Sequence, residues 1–390
     1  MSPQSAVVLA AGEGTRLSPL TETRPKPMLP VANKPLLEHV VESLVDAGIE
    51  RVVIVVGHHR EAIQAHFGDG ATWGVDIEYV VQEPRHGTGH ALLQAESHVS
   101  GTFVVINGDR IVEPSLIQEL LSQYEETGNA CLAVTRVDNP SEYGVVSLEN
   151  GAVTGIVEKP PQYDVPSSLA NIGVYAFGPE IFGAIRRTER RGELGLTDVL
   201  DRQLAQLSVN AIRYNGPWLD LTEPWDLLSV NAGMLDLAGE SVSAQASVHK
   251  QATVSGNNAI GAGVDIAAGS RILRDCSIGE GVQVGANAVL SNVIVLPDAR
   301  IGHGSVLQDC IVGQGATVGS NVTVGGGKSD VRLNGDLYAD VRLGGVVGDS
   351  VTLGDAVTVD SGTIIGNRTT VQDGSTVRGT VGFDADVLRG

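Results

Sequence analysis

From residue 242 to residue 377, the chain places an aliphatic residue at every sixth position, with two shifts of phase and one interruption. A period of six matches neither an α-helix, with about 3.6 residues per turn, nor a simple strand, with a period of about two. It is typical of a β-helix, in which each short strand sends one aliphatic side chain to a central axis before the chain turns a corner. A Gly-rich linker, the alternative, has no reason to keep such a register. The repeating positions are Val242, Val248, Val254, Ile260, Ile266, Ile272, Ile278, Val284, Leu290, Ile301, Leu307, Val312, Val318, Val324, Val341, Val347, Leu353, Val359, Ile365, Val371 and Val377.

The composition changes where this repeat begins. Thirteen of the 15 aromatic residues lie at or before Trp225, whereas 27 of the 49 glycines follow residue 236. Many of these glycines come directly after the repeated aliphatic residue, where they allow the backbone angles that a corner needs. A chain of 390 residues has room for two or three domains of about 100–200 residues. We therefore predict two domains, residues 1–236 and residues 237–390.

Before residue 237 the pattern alternates between strands and helices. An apolar stripe at helical spacing from Leu36 to Val45 predicts a helix, and a second helix is expected around Gly89–His98. Aliphatic strands separated by helices indicate a Rossmann-like, mostly parallel sheet that is covered on both faces. The predicted fold class is therefore an α/β domain followed by a parallel β-helix. The predicted strands are Ala6–Ala10, Val52–Val56, Val75–Val81 and Phe103–Ile106.

The charge balance excludes several kinds of partner. Lys and Arg number 26 against 46 Asp and Glu, a formal net charge of −20. Such a chain repels phosphate backbones and anionic lipids, so we expect no nucleic-acid and no membrane-surface partner. Many carboxylates, five lysines and few aromatic residues resemble proteins of salt-loving cytoplasms, although an ordinary acidic enzyme is the alternative.

Cysteine usage and hydropathy favour a cytoplasmic protein. Cys131, Cys276 and Cys310 are odd in number and far apart, so we expect neither a disulfide framework nor a cysteine metal site. No apolar run approaches the roughly 20 residues of a membrane span. Ala6–Ala11 lacks the basic residues that precede the apolar part of a signal peptide.

A glycine-containing turn follows the first predicted strand. In Leu9–Leu17, small residues let backbone N–H groups approach a phosphate, and Arg16 adds a delocalised cation. The turn lacks the Gly-Lys-Ser/Thr end of a P-loop and the Gly-x-Gly-x-x-Gly fingerprint, and a plain turn is the alternative. Further on, Pro25 and Pro27 stiffen the chain around Lys26, which could then aim its ammonium at a triphosphate; a solvated lysine is the alternative.

These segments resemble those of the sugar-1-phosphate nucleotidyltransferases. The resemblance rests on Leu-Ala-Ala-Gly-x-Gly-Thr-Arg-Leu-x-Pro-Leu-Thr from Leu9, on Pro-Lys-Pro-Met-Leu-Pro-Val from Pro25 and on Asn-Lys-Pro from Asn33. The repeats resemble the left-handed β-helix of hexapeptide proteins, which usually form trimers. Together, the two parts are similar to archaeal bifunctional N-acetylglucosamine-1-phosphate uridylyltransferases and to glucose-1-phosphate thymidylyltransferases.

The resemblance implies a role for each residue that matches the family. Gly12 and Gly14 would hold the triphosphate, while the catalytic residues Arg16 and Lys26 would neutralise charge at the α-phosphate. The family usually has Ala where this chain has Gly89, which leaves the base preference open. Arg110, next to a metal carboxylate, is unusual and would point away or compensate charge. The other implied residues are Gln82, Gly87 and Thr88 for the nucleobase, Asp109 and Asp220 for Mg²⁺, and Gly144, Glu158, Lys159 and Asn171 for the sugar phosphate.

The chemistry of such a transfer supports this set. Attack of a sugar phosphate on an α-phosphorus gathers several anions, so the catalyst must position groups and neutralise charge. A divalent ion held by two carboxylates among Arg and Lys meets that demand. The implied reaction transfers a nucleotidyl group from UTP or dTTP to glucose 1-phosphate or N-acetylglucosamine 1-phosphate and releases pyrophosphate. For each carboxylate alone, a solvated surface acid is the alternative.

Three other functions stay open. Some relatives use the β-helix to acetylate glucosamine 1-phosphate with acetyl-CoA, which requires a His and an Asn. Here Asp330 lies near the expected Asn and His303 lies about one coil too early, so a scaffold or trimerisation role is favoured. The break at 326–340 is either a loop over a cleft or a tolerated insertion. GTP-dependent transfer to mannose 1-phosphate and a non-catalytic sugar-nucleotide-binding subunit are the remaining alternatives.

Overall fold

The computed structural model describes residues 4–83, 86–189 and 192–389. These residues form two compact units, each with segments from the start of the chain. The first unit contains the residues up to Glu13, Pro25–Met28 and Leu36–Asp220. The second contains Gly14–Arg24, Leu29–Pro35 and the chain from Leu221 onward. The domain border at residue 236 stays a prediction.

The first unit is built on a nine-stranded sheet. Its strands are β1 (Ser5–Ala10), β2 (Arg51–Val56), β3 (Asp76–Val81), β4 (Phe103–Asn107), β5 (Ala130–Arg136), β6 (Gly144–Glu149), β7 (Ala152–Glu158), β8 (Leu169–Phe177) and β9 (Val209–Arg213). They lie in the order β3-β2-β1-β4-β8-β5-β9-β7-β6. β3, β2, β1 and β4 are parallel, which confirms the predicted arrangement of the first four strands. β8 then runs antiparallel to both β4 and β5, and β6 runs antiparallel to β7.

The helices begin and end where the sequence provides the appropriate residues. In α1 the apolar stripe is buried, and Gly48, with φ of 93°, follows its end. In α4 a proline occupies the first turn and Gly128, with φ of 67°, caps the carboxyl end. The helices are α1 (Leu36–Asp46), α2 (Arg60–Phe67), α3 (Thr88–Gln94), α4 (Pro114–Thr127), α5 (Glu180–Arg187), α6 (Leu196–Gln203) and, in the second unit, α7 (Pro224–Ala238). Short 3₁₀ turns lie at Thr15–Leu17, Lys26–Met28, Ala71–Trp73, Glu96–His98, Pro140–Glu142 and Gln162–Asp164.

Both faces of the sheet are buried, as continuous aliphatic strands require. Along β1, Val8 belongs to one hydrophobic cluster and its neighbours Val7 and Leu9 to another. The first cluster includes side chains of α1 and α4, and the second includes side chains of α3, α5 and α6. The helices therefore cover the sheet from two sides and leave the ends of its strands for the loops.

The second unit contains the predicted parallel β-helix. Its strands pair in parallel with the strand one coil away, and their aliphatic residues form one buried column. The strands are Ser241–Val242, Ser247–Val248, Thr253–Val254, Ala259–Ile260, Asp265–Ile266, Arg271–Ile272, Ser277–Ile278, Gln283–Val284, Val289–Val295, Arg300–Ile301, Val306–Val312, Thr317–Val318, Thr323–Val324, Gly345–Val347, Thr352–Leu353, Thr358–Val359, Thr363–Ile365, Thr370–Val371, Thr376–Val377, Thr380–Val381 and Asp386–Val387.

The shifts of phase in the repeat have a structural cause. Ile260 pairs with Ile278, three hexapeptides later, but Val284 pairs with Ile301, one residue short of three hexapeptides. The long strands Val289–Val295 and Val306–Val312 lie in these shortened coils, and they pair with each other along most of their length. Each of these shortened coils is one residue shorter than three hexapeptides, and its aliphatic side chains still lie in the column.

The interruption of the repeat is a β-hairpin, formed by Lys328–Leu333 and Asp336–Arg342, which we call the insertion hairpin. Val341 pairs with Ser329 inside this hairpin. Its assignment to the repeating series was therefore wrong, and the rungs resume at Gly345–Val347, where Val347 is fully buried. A period-six count cannot distinguish an aliphatic residue of a hairpin from the first residue of the next coil.

Candidate active site

A cleft of about 580 Å³ opens at the carboxyl ends of β1, β2 and β3. In open parallel sheets, ligands bind at this edge. The sequence analysis gave no role to the histidines that follow β2, yet they line the cleft, and their position after a strand was the available signal. The lining residues are Glu13, Gly57, His58, His59, Arg60, Glu61, Gln82 and Glu83.

The turn after β1 leaves room for a ligand. Gly12 is exposed, and among the described residues other than its two chain neighbours none has an atom within 4 Å of the position that a Cβ would take there. Gly14 has a φ of 65°, a left-handed conformation that favours glycine, and it opens the 3₁₀ turn Thr15–Leu17. This backbone allows close approach to a phosphate.

Arg16 and Gly14 belong to the second unit. The Arg16 guanidinium is about half exposed, and its Nη1 lies 3.7 Å from Oε1 of Glu223. Tyr338 of the insertion hairpin packs its ring 5.0 Å from that of Trp225. Burial and the neighbouring Glu223 raise the pKa of Tyr338, although Arg16 opposes this rise. The hairpin thus lies in the surroundings of Arg16, which the sequence did not reveal.

The residues assigned to the nucleobase are held in place by hydrogen bonds to one another and to neighbouring segments. Gln82 is buried, and its Nε2 lies 3.0 Å from the carbonyl oxygen of Gly87 and 3.1 Å from Nδ1 of His90. Thr88 Oγ1 accepts a hydrogen bond from the Leu196 backbone N–H at 2.9 Å. Pro84 ends the segment Val80-Val81-Gln82-Glu83-Pro84, which resembles the part of the family that reads the nucleobase, and it lies outside the described residues.

Packing explains why glycine occurs where relatives usually have alanine. A Cβ on Gly89 would lie 3.1 Å from the carbonyl oxygen of Leu194 and 3.2 Å from Cγ2 of Val199. A Cβ on Gly87, whose φ is 90°, would meet the same carbonyl at 2.4 Å. Gly89 therefore lies at a tight contact between α3 and the segment before α6, and the base preference stays open.

Asp109 lies beyond the end of β4 and pairs with Lys26. Gly108 donates its N–H to the carbonyl of Leu9, which fixes this turn beside β1. The Lys26 ammonium lies 2.5 Å from Oδ2 of Asp109, and both side chains are mostly buried. Burial alone would raise the pKa of Asp109, but Lys26 and Arg110 together lower it to about 2. Asp109 is therefore ionised at neutral pH.

The pairing of two backbone segments brings Asp220, the second carboxylate assigned to the metal, next to Arg110. Ile111 and Leu219 form an isolated antiparallel bridge, so their neighbours Arg110 and Asp220 face each other across it. The Arg110 guanidinium forms an ion pair with Asp220 through Nη1, and its Nε lies 3.7 Å from Oδ1 of Asp109. Arg110 therefore compensates the charge of both carboxylates, as one of the two expectations for it had stated.

Aromatic side chains limit the orientation of Arg110. Its guanidinium carbon lies 5.5 Å from the centre of the Trp218 ring, a cation–π distance. Trp218 in turn contacts the Tyr143 ring edge-on at 5.2 Å. These contacts connect Arg110 with the segment before Gly144, which the sequence assigned to the sugar.

The sugar-phosphate residues lie along β6, β7 and the turn after them. Gly144 pairs with Glu158, and a Cβ on this glycine would lie 2.9 Å from the Glu158 carboxylate. Glu158 accepts a hydrogen bond from Thr197 at 3.1 Å. Lys159 has a positive φ of 44°, and its N–H donates to the Tyr143 carbonyl. This turn presents an exposed lysine next to a carboxylate.

A β-bulge in β8 completes this part of the site. The register of β8 shifts between Asn171 and Tyr175, and bulges re-aim side chains near active sites. Asn171 donates through Nδ2 to the Tyr175 hydroxyl at 2.6 Å. Burial raises the pKa of Tyr175 to about 12, with Glu158 and Arg110 among its charged neighbours. Gly173, with φ of 78°, lies against Asn107 and Arg110, where a Cβ would meet Asn107 at 2.6 Å.

The first unit thus gathers most of the predicted residues in neighbouring groups. Lys26, Asp109 and Asp220 meet around Arg110, while Glu158 and Asn171 meet near Tyr175. The nucleobase set and Gly12 lie at or beside the cleft beyond β1 to β3. The packing roles of Trp218, Tyr143 and Tyr175 required the structure.

The described residues contain neither a ready-made cluster of metal ligands nor a membrane-spanning helix. Across 4–83, 86–189 and 192–389, no group of three or more His, Cys, Asp or Glu side chains is placed to hold a metal ion. Within the same ranges, no helix has the length and apolar character needed to cross a membrane.

Comparison with known families decides the assignment of the chain. The model of a family described as nucleotidyl transferase matches residues 5–236. This chain belongs to the nucleotidyl transferase family. A second model, described as the GMPPB C-terminal domain, matches residues 254–382. The resemblance to sugar-1-phosphate nucleotidyltransferases that the motifs predicted is confirmed.

Relatives within this family share more than a third of their aligned residues with the chain. The bifunctional protein GlmU of Methanococcus maripaludis strain S2 is 37% identical over 255 residues, 65% of this chain and 59% of GlmU. The low-salt glycan biosynthesis nucleotidyltransferase Agl11 of Haloferax volcanii is 38% identical, over 64% of this chain and 71% of Agl11. The UTP–glucose-1-phosphate uridylyltransferase AglF of the same organism is 40% identical, over 57% of this chain and 92% of AglF. The alignment with GlmU thus spans about three-fifths of that relative.

Solved structures extend the similarity to the fold. A crystal structure of UDP-glucose pyrophosphorylase complexed with UDP-glucose superposes with a TM-score of 0.55 at 30% identity, covering 60% of this chain and 99% of that one. A glucose-1-phosphate thymidylyltransferase structure from Bacillus anthracis, described as putative there, gives the same score at 30% identity, covering 59% and 94%.

Proposed function

We propose that this chain transfers a nucleotidyl group from UTP or dTTP to glucose 1-phosphate or N-acetylglucosamine 1-phosphate, with Mg²⁺, and releases pyrophosphate. The observation that carries the proposal is the alternation of charges among Lys26, Asp109, Arg110 and Asp220. Cations and carboxylates that are mostly withdrawn from water interact more strongly than on the surface. Such a set suits a reaction in which two anionic substrates meet.

The residues fit a magnesium ion by their donor chemistry. Mg²⁺ is commonly bound by one or two carboxylates, with water and substrate phosphates completing its shell. Asp109 is ionised at neutral pH, and the carboxylates of Asp109 and Asp220 already converge on one cationic group, Arg110. When bound, the metal would neutralise phosphate charge and orient the phosphates. Arg110 would then share these carboxylates with the metal.

The other residues bind and position the substrates. Lys26 and Arg16 supply positive charge where the α-phosphate develops negative charge, and Gly12 and Gly14 allow backbone N–H groups to approach the triphosphate. Glu158 can accept a hydrogen bond from a sugar hydroxyl, and Lys159 can hold the sugar phosphate from the strained turn. Asn171 is oriented by Tyr175, which supports a fixed sugar contact. Gln82, Gly87 and Thr88 would place the base.

The relatives support a uridine or thymidine nucleotide and a glucose-type sugar. AglF is named a UTP–glucose-1-phosphate uridylyltransferase, and the superposed structures are named for UDP-glucose and for glucose-1-phosphate thymidylyl transfer. We propose further that the chain divides functionally at residue 236, close to where the first family match ends. The hexapeptide resemblance supports a homotrimer through the β-helix, and three buried free cysteines suit a reducing cytoplasm.

A substrate matrix tests the function. The purified 390-residue chain is incubated with Mg²⁺, with each of UTP, dTTP, GTP, ATP and CTP, and with glucose, N-acetylglucosamine or mannose 1-phosphate. Release of pyrophosphate is the readout. We expect the highest kcat/KM for a uridine or thymidine nucleotide, and we expect Lys26→Met to lower turnover about 10²–10³-fold. Arg136→Met, which removes an exposed cation at the end of β5, is the matched control.

Each rival function predicts its own outcome in that matrix. Preference for GTP with mannose 1-phosphate would replace the proposed substrates. Thiol release from acetyl-CoA with glucosamine 1-phosphate would reveal the bifunctional enzyme. His303 and Asp330, the residues compared with the His and Asn of acetyl transfer, both make internal hydrogen bonds. His303 Nδ1 accepts the Ala286 N–H, and Asp330 accepts an N–H within the insertion hairpin. Ligand binding without pyrophosphate from any pair would indicate a non-catalytic subunit and would overturn the proposal.

A further inference from the structure

The segment Gly14–Arg24, which we call the Arg16 segment, belongs to the same compact unit as the β-helix. Its Leu17 and Leu20 are fully buried, whereas Arg16 at its tip is exposed. Thr21 donates its hydroxyl to the Gly14 carbonyl at 2.9 Å, which closes the segment on itself. The segment is therefore a compact loop with a buried base and a half-exposed cationic tip, which lies 3.7 Å from Glu223.

The far end of this loop is bound by one corner of the β-helix. The Arg24 guanidinium donates to Oδ2 of Asp349 at 2.9 Å, and the Thr23 hydroxyl donates to the same oxygen at 2.5 Å. The side chains of Arg24 and Asp349 are only 13% and 8% exposed. An ion pair so withdrawn from water is held more strongly than a surface pair, and removing one partner leaves the other charge uncompensated.

The corner itself is preorganised by the stacking of three coils. Gln314, Asp349 and Asn367, which we call the anchoring corner, each follow a glycine at the same turn of successive coils. Asp349 Oδ1 accepts the Gln314 N–H, and Asn367 Oδ1 accepts the Asp349 N–H, both at 2.8 Å. Asn367 is 1% exposed, and its Nδ2 donates to the Pro19 carbonyl. A Cβ on Gly348 would lie 2.4 Å from Asn367 Oδ1, so glycine permits this contact.

We infer that the anchoring corner positions the Arg16 segment, so that the β-helix takes part in nucleotidyl transfer as well as in folding. The inference rests on the proposed function, because it depends on Arg16 acting at the phosphate. Asp349 touches no reacting atom in this account and is a positioning residue. Its contribution is to restrict the loop, so that the Arg16 guanidinium needs no reordering as charge develops.

The test compares Asp349→Asn with Asp355→Asn by hydrogen exchange. Asp355 is the matched control, because it lies at another corner of the same coil and accepts the Ser320 N–H at 2.7 Å. We expect Asp349→Asn to lower exchange protection of peptides from Gly14–Arg24 at least tenfold while the rungs stay protected. Arg24→Met, which breaks the same pair from the loop, should give the same pattern if Asp349→Asn folds poorly. Unchanged exchange protection of the Arg16 segment in both Asp349→Asn and Arg24→Met would overturn the inference.

Kinetics then distinguish positioning from a purely structural role. With the best substrates from the matrix, Asp349→Asn should lower kcat at least tenfold and leave the KM for the sugar 1-phosphate within about twofold, while Asp355→Asn matches the wild type. If Asp349→Asn lowered the exchange protection of the Arg16 segment but left kcat unchanged, the catalytic part of the inference would be refuted. If the wild type released no pyrophosphate at all, the proposed function would fail, and the exchange data would still decide the anchoring.

Discussion

Arg110 is the residue whose surroundings the structure changes most. Its guanidinium faces Asp220 and lies 3.7 Å from Asp109, the carboxylates that we propose for the metal. A divalent ion held by these carboxylates would compete with this internal cation for their negative charge. We therefore expect Arg110→Met to bind Mn²⁺, a spectroscopic substitute for Mg²⁺, at least about tenfold more tightly than the wild type, or about 1.4 kcal/mol. Titration followed by electron paramagnetic resonance measures this affinity without any substrate.

Two matched variants decide whether the effect is local. Arg136→Met removes the same charge from an exposed position and should leave Mn²⁺ affinity unchanged. Asp220→Asn in the Arg110→Met background should abolish the gain, since it removes one proposed ligand. Equal or weaker affinity in Arg110→Met would show that Arg110 helps the metal to bind, and our account of the pair would be wrong.

At this scale the sequence predicted the residue types better than their contacts. The motifs identify Asp109 and Asp220, but the register that places Asp220 opposite Arg110 comes from the Ile111–Leu219 bridge between distant segments. Non-local pairing of this kind leaves no periodic pattern in a single sequence. The same holds for Tyr175, whose burial beside Asn171 depends on a bulge in β8.

Among the elements, the insertion hairpin depends on one buried carboxylate at its base. Asp309 accepts hydrogen bonds from Asn292 Nδ2 at 2.7 Å, from the Gly327 N–H at 2.9 Å and from Arg342 Nε at 3.1 Å. Burial raises the pKa of Asp309, but these donors outweigh it, so the pKa lies below its ordinary value. A lowered folded-state pKa gives stabilisation that is present above the unfolded value, about 3.9, and lost as the pH falls through the folded one.

The hairpin should therefore loosen before the coils on acidification. We expect exchange of amides in 328–342, corrected for intrinsic rates, to rise below pH 4 while the rungs remain protected. Asp309→Asn should show the loosened hairpin already at pH 7 and little further change in acid. Asp384→Asn, which breaks an exposed pair with Arg368, is the control. A hairpin that opens at the same pH as the rungs would contradict the role of Asp309.

Strands were predicted correctly where a residue pattern repeats along the chain, and they were missed where no pattern repeats. The period of six gave the rungs, because each coil repeats the same demand for one inward aliphatic side chain. The hairpin interrupts that demand, so Val341 matched the period without lying in the column. The strands β5 to β9 were absent from the predicted set. Mixed polar and apolar segments such as Ala152–Glu158 give no continuous aliphatic run.

For the whole molecule, the two compact units do not correspond to a single cut of the sequence at residue 236. Gly14–Arg24 and Leu29–Pro35 come early in the chain but belong to the unit of the β-helix. Asn33 of the second segment donates through Nδ2 to the carbonyls of Ala259 and Ile278 on successive coils. Long-range hydrogen bonds like these cannot be read from local composition. We therefore do not expect the Arg16 segment to stay intact when the β-helix is deleted.

The net charge of −20 makes the salt response of the molecule a further test. Excess like charge destabilises a compact chain, and molar salt shortens the Debye length to about 3 Å, which screens that repulsion. We expect the melting temperature and the turnover to rise from 0.1 to 2 M KCl if the composition reflects adaptation to salt. Substituting three exposed carboxylates of the β-helix by amides, Asp265→Asn, Glu280→Gln and Asp386→Asn, should reduce the rise in melting temperature, since less repulsion remains to be screened. A protein that is most stable at low salt would instead be an ordinary acidic enzyme, in which KCl weakens pairs such as Arg368 with Asp384 more than it relieves repulsion.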